Sequence, residues 1–93
     1  MKRALLPTKA FARCVKRLAK CRSNVLEVIR DTLRILEGDA FTPALRPHRL
    51  KGKLSGSWVA TAGYDLRIVY QFVDHEGEEA ILLLAAGTHD EVY

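Results

Sequence analysis

Seven consecutive apolar residues, Ala80-Ile81-Leu82-Leu83-Leu84-Ala85-Ala86, stand near the end of the chain. A strand of this kind shows no alternation, so it needs cover on both faces and belongs inside a sheet. The chain has 93 residues. That is enough for one domain, residues 1–93, burying roughly 60–65% of its unfolded surface around a modest core. The remaining segments must therefore assemble around this strand. Ser57–Thr61 and Asp65–Val73 read as two strands before it, with Gly63-Tyr64 marking one turn and Asp74-His75-Glu76-Gly77-Glu78 the other.

The first half of the chain has a different period. Arg3–Leu6 is a short strand candidate stopped by Pro7, and Thr8 is a suitable helix N-cap. Phe11, Cys14, Val15 and Leu18 recur at helical spacing. The opposite face of that helix carries Arg13, Lys16, Arg17 and Lys20. Ser23 or Asn24 can cap a second helix with the stripe Val25, Val28, Ile29, Thr32, Leu33 and Leu36, and Gly38 is placed to end it. The tight junction predicts an antiparallel helical hairpin. Strand, two helices and three strands give an α+β domain, with the hairpin on one face of a mostly antiparallel four-stranded sheet. Residues 38–56 form a long connector, of a length that is unusual in a compact domain and often functional.

Charge divides the chain more sharply than its net value of +4 suggests. Residues 1–56 hold fourteen of the fifteen Lys and Arg, whereas residues 57–93 hold seven of the eleven Asp and Glu. A basic half points to a polyanionic partner. Its candidate contacts are the helical face Arg13, Lys16, Arg17 and Lys20 and the connector residues Arg46, Arg49, Lys51 and Lys53. No apolar run reaches the roughly 20 residues of a membrane-spanning helix, and the short N-terminal apolar stretch does not make a signal peptide. The expectation is a cytoplasmic protein with no membrane partner. Cys14 and Cys21 lack neighbouring ligands for a metal and read as thiols. No HxH, HExxH, glycine-rich phosphate loop or nucleophile elbow occurs. Any chemistry here is expected to be acid–base and electrostatic, with no cofactor and no metal.

The residues suited to such chemistry are few. Arg67 falls on the alternate face of its strand with Asp65, Val69 and Gln71, away from Leu66, Ile68 and Tyr70. If two helices cover only one face, Arg67 lies on the open one. Its planar fork fits a phosphate, or alternatively pairs with Asp65 on the surface. His89 follows Gly87-Thr88 past the apolar strand, and His48 follows the rigid Pro47; either ring can move a proton near neutral pH. His75 lies in the acidic turn and is not a candidate. Tyr93 could stack on a nucleobase. Trp58, Tyr64 and Tyr70 read as structural aromatics.

The set His48-Arg49-Leu50-Lys51-Gly52, Gly56-Ser57-Trp58, Asp65-Leu66-Arg67-Ile68-Val69-Tyr70 and Gly87-Thr88-His89-Asp90-Glu91-Val92-Tyr93 resembles the YafQ branch of the RelE/ParE toxin superfamily. The resemblance covers nearly the whole chain. It implies a RelE-like fold and a type II toxin–antitoxin toxin that cleaves mRNA in the ribosomal A site. It also implies a cognate antitoxin as partner, with the ribosome and mRNA as targets and operator DNA reached only through the antitoxin complex. By position, His48 and His89 match family active-site histidines, Asp65 a family acidic residue, Arg67 the strand arginine of the RelE branch, and Tyr93 the terminal aromatic. The implied roles are general acid for His89, phosphate stabiliser for Arg67 and base stacking for Tyr93. The strand after Trp58 reads Val59-Ala60-Thr61-Ala62 and offers no proton acceptor where relatives carry one. The base role then falls to His48 or Asp65, with His48 favoured, and His48 otherwise orients the phosphate. Alternatives are a ParE-like inhibitor of DNA gyrase, or a catalytically weak toxin that mainly binds its antitoxin.

Overall fold

The computed structural model describes residues 2–50, 56–63 and 65–92. Its order is β1 (Ala4–Pro7), α1 (Lys9–Cys21), α2 (Val25–Gly38), a 3₁₀ turn at Pro43–Leu45, β2 (His48–Arg49), β3 (Trp58–Ala62), β4 (Leu66–His75), β5 (Glu78–Thr88) and α3 (His89–Val92). The strands form one sheet in the order β1-β5-β4-β3-β2. The β1–β5 pair is parallel, and the other pairs are antiparallel. The α+β expectation holds, but the sheet has five strands rather than four. The added strand is the pair His48–Arg49, which the connector lays antiparallel to Val59 and Trp58. A backbone bond from Leu50 N to Ser57 O, 2.9 Å, continues that pairing.

Local chemistry sets most element ends. Thr8 joins β1 to α1: its hydroxyl accepts from Phe11 N at 3.1 Å and donates to Leu83 O at 2.8 Å. This satisfies one of the donors that a helix start leaves unpaired. Asn24 occupies the N-cap position of α2, but its side chain makes no capping hydrogen bond there. Gly38 does not terminate α2 as a left-handed cap; it is the last helical residue, and Asp39 follows in extended conformation. The hairpin between β4 and β5 is tighter than the sequence suggested. His75 pairs with Glu78, leaving Glu76 and Gly77 as a two-residue turn with φ of 54° and 83°. Two positive φ values match the turn twist that suits a right-handed β-ribbon.

The helices cover one face of the sheet. Phe11, Leu18, Val25, Ile29 and Leu36 pack against Ala60, Ala62, Leu66, Ile68, Tyr70, Ile81, Leu83 and Ala86. Each large aliphatic side chain buried there contributes about 1.5–3 kcal/mol. Tyr70 is the largest fully buried side chain. Its hydroxyl has no hydrogen-bond partner among the described residues, and burial pushes its pKa up to about 12. Cys14 is half-buried against this core, and Cys21 is exposed; both are thiols.

The second face is not the bare surface expected from two helices. Leu50 from the connector and Val92 from α3 close over Val59, Val69, Leu84 and Ala85, making a small second core. β5 therefore has apolar neighbours on both sides, as its unbroken apolar run required. It lies between β1 and β4, one place from the middle of the sheet, which β4 occupies. A β-bulge explains part of the missing alternation. Val69 pairs with Ala85 but Tyr70 pairs with Leu83, so Leu84 is an extra residue in β5.

Candidate active site

The bulge decides what stands near the C-terminal end of β5. Beyond it, Arg67 lies opposite Gly87 and Leu66 opposite Thr88. On the other side Arg67 faces Thr61 of β3. Thr61, Arg67 and Gly87 thus form one row on the face away from the helices. His89 follows Gly87 by two residues, at the start of α3. His48 belongs to the row His48–Val59–Val69–Ala85. It shares the face of Arg67 but stands two strands away, about 12 Å between Cα atoms on the spacing of a sheet. The register therefore brings Arg67 and the start of α3 to the same end of the sheet and sets His48 two strands away.

Each side chain is held by specific neighbours. The Arg67 guanidinium donates to the carbonyl of Leu66 at 3.0 Å and is half-buried. The His89 amide donates to Asp65 O at 3.2 Å, which ties the start of α3 to the start of β4. The His89 ring is 56% exposed, with Nδ1 3.5 Å from Asp90 Oδ1. His48 Nδ1 lies 3.1 Å from Arg46 O. A carbonyl only accepts, so Nδ1 carries hydrogen in this contact, and in the neutral ring the lone pair is on Nε2. Arg46, at φ 47°, turns the chain to aim that carbonyl.

Asp65 is turned elsewhere. Its carboxylate accepts from Arg22 Nη2 at 3.2 Å, at the end of α1, and does not form the surface pair with Arg67 considered from sequence. Among the basic candidates, Arg13, Lys16, Arg17 and Lys20 are exposed on α1, as are Arg46 and Arg49 on the connector. Arg49 stacks over Trp58, 5.4 Å from the ring centroid. Trp58 also packs edge-on to Phe41 and Phe72, consistent with its structural reading. Arg17 is engaged with Glu91, their atoms 2.5 Å apart. Lys51, Lys53, Tyr64 and Tyr93 lie outside the described residues.

Two residues near His89 escaped the sequence reading. Thr88 N donates to Glu91 Oε1 at 2.9 Å, and Glu91 N donates to Thr88 Oγ1 at 3.4 Å. This reciprocal pair is a capping box, and it starts α3 at His89. Its signature, Thr88-His89-Asp90-Glu91, was present in the sequence as T-x-x-E. The Thr88 amide, then the Arg17 guanidinium, hold the Glu91 carboxyl below its usual pKa.

Residues 3–93 match the family model described as the bacterial toxin of type II toxin–antitoxin systems, YafQ. The chain belongs to the YafQ toxin family. Among solved structures, this family member is similar to YafQ from E. coli strain BL21(DE3), at 18% identity and a TM-score of 0.77 over 99% of each chain. It is similar to the toxin–antitoxin complex DinJ–YafQ of E. coli, at 19% identity and a TM-score of 0.75, covering 100% of this chain and 99% of that one. It is also similar to the conserved hypothetical protein HP0894 of Helicobacter pylori, at 26% identity and a TM-score of 0.73 over the whole of both chains. Comparison with curated proteins by sequence gives no match. No helix of this toxin is long and apolar enough to cross a membrane among the described residues.

Proposed function

We propose that this YafQ-family toxin is an endoribonuclease that cuts mRNA on the ribosome. The observation that carries this reading is the register placing Arg67 opposite Gly87, two residues before His89. A guanidinium and an imidazole at that spacing can serve one phosphodiester. The RNA 2′-hydroxyl attacks the adjacent phosphorus while a base takes its proton. The P–O5′ bond breaks, leaving a 2′,3′-cyclic phosphate, and an acid protonates the departing 5′ oxygen. This sequence balances through proton transfer and charge stabilisation alone.

In this scheme His89 is the acid and Arg67 stabilises the phosphorane. His48, whose Nδ1 lies 3.1 Å from the Arg46 carbonyl, is the base. RNA bends across the second-core surface to reach both groups. Asp65, paired with Arg22, supports the backbone of His89 rather than accepting the proton. Tyr93 stacks on a base beside the scissile phosphate. Arg13, Lys16 and Lys20 of α1 and the basic residues of the connector contact ribosomal RNA. The partner that silences the toxin is a cognate antitoxin, a reading supported by the E. coli DinJ–YafQ complex and the RelBE2 toxin–antitoxin complex of Mycobacterium tuberculosis. Operator DNA is then reached through that complex.

Expression of wild type and His89→Ala in growing cells, with primer extension on a reporter mRNA, tests the nuclease. Wild type should arrest growth and leave discrete mRNA ends, and the variant should do neither. Equal toxicity with intact mRNA would overturn the reading. A DNA-damage response together with blocked supercoiling would instead assign the chain to gyrase.

A further inference from the structure

The most directed set of contacts outside the reacting groups converges on the last helical turn. We propose that Arg17 and Glu91 are positioning residues that clamp α3 to α1 and so fix His89 beside Arg67. The inference deepens the nuclease reading and rests on it.

A four-residue helix has no stability of its own, because its first turn fixes several residues for one hydrogen bond. What orders α3 must therefore be tertiary. The Glu91 carboxylate works in two directions: Oε1 accepts from the Thr88 amide at 2.9 Å, and Oε2 meets Arg17 Nη1 at 2.5 Å. One group thus caps the helix and pins it to α1. Gly87 permits this approach, since a Cβ there would stand 3.1 Å from Glu91 Cβ and 3.3 Å from its Oε1. Val92 seats the other side of the turn in the second core. The opposite wall is held from the same helix, where Arg22 just past α1 grips Asp65, whose carbonyl accepts from the His89 amide. Arg17 and Glu91 are both substantially exposed, 53% and 39% by side chain. Exposed ion pairs contribute little to folding stability. The consequence of this pair is therefore geometric, and Arg17 acts inside the protein rather than as a phosphate contact.

The test combines single-turnover cleavage on programmed ribosomes with NMR of the purified toxin. Arg17→Ala and Glu91→Ala should each slow cleavage about tenfold or more, the scale set by small misplacements of a reacting group. Ribosome affinity should hold, and so should the melting temperature. The Thr88 amide should lose hydrogen-exchange protection, and the His89 ring signals should shift. Glu91→Gln, which keeps an acceptor for Thr88, should retain more activity than Glu91→Ala. The double variant should be no slower than Glu91→Ala, since both changes break one coupled contact. Lys16→Ala provides the contrast, weakening ribosome affinity in a salt-dependent way. If Arg17→Ala behaves like Lys16→Ala and leaves the Thr88 and His89 signals unchanged, the clamp is overturned. Unchanged cleavage despite lost Thr88 protection also overturns it. If wild type cuts no RNA, the nuclease reading falls, and the NMR signals alone decide whether the clamp holds α3.

Discussion

The β4–β5 ribbon ends in two different ways. At one end Glu76-Gly77 closes it with a two-residue turn, and Asp74, Glu76, Glu78 and Glu79 crowd the tip. At the other, Gly87-Thr88 runs into α3, held by Arg17 from α1 and by the Asp65 carbonyl. The first end is built by neighbours in sequence, and none of the proposed site residues lies there. The second is built by groups far apart in the chain, and it holds Arg67 and His89. An end fixed by distant contacts can gather chemically different groups from several elements, whereas a tight turn presents only what its own few residues supply.

Three comparisons bear on this contrast, and a fourth stands apart from it. The largest expected effect is at the histidines. His89→Ala should reduce cleavage by about 10²–10⁴-fold, the range for a lost general acid, while His75→Ala at the acidic tip should leave cleavage unchanged. Comparable losses at both ends would break the comparison. Next, Arg67→Ala should cost about 10²–10³-fold in single-turnover rate, as when a donor to a developing oxyanion is removed. A loss seen only as weaker ribosome binding would make Arg67 a docking residue.

The glycines give a smaller and more discriminating pair. Gly77→Ala forces a left-handed φ of 83° on alanine and should cost about 1–2 kcal/mol by denaturant titration, with activity of the folded fraction intact. Gly87→Ala has no positive φ to strain, but its Cβ would press on Glu91. It should lower cleavage more than it lowers the melting temperature.

The smallest effect concerns Tyr70, which belongs to neither end. An unfolded tyrosine loses its proton near 10, and the buried Tyr70 does so only at about 12. Stability from keeping this group neutral is therefore fully present below pH 10 and is lost as pH rises toward 12. Tyr70→Phe should flatten that alkaline decline. It should also be neutral or slightly stabilising at pH 7, by up to ~1 kcal/mol, because it removes a hydroxyl without a described partner.

Much of this is legible in the sequence. The helical stripes from Phe11 to Leu18 and from Val25 to Leu36, the Thr8 cap and four of the five strands follow from local sequence signals. Such signals are local, so a short window contains them. The pairing of His48–Arg49 with Val59 and Trp58 was not legible, since two residues carry no periodicity and β2 exists only because β3 lies beside it. The α3 turn was missed although T-x-x-E spelled its cap. A four-residue helix leaves no apolar stripe, and its anchor, Arg17, is 74 residues away.

The sequence by itself determined the candidate groups and the turn. It put arginine on one strand and histidine past the end of the next, and Glu76-Gly77 made a hairpin in which His75 meets Glu78. Only the tertiary structure decided which groups meet. Continued without interruption, that hairpin register would set Arg67 opposite Ala86. A one-residue shift turns every later side chain of β5 to the other face. The bulge at Leu84 supplies that shift, so Gly87 faces Arg67 and Leu84 and Ala85 both enter the second core. The physical reason is packing on two faces at once. Leu50, Val59 and Val69 on one side and Ile68, Tyr70 and the helices on the other fix a phase that no stretch of seven apolar residues specifies alone.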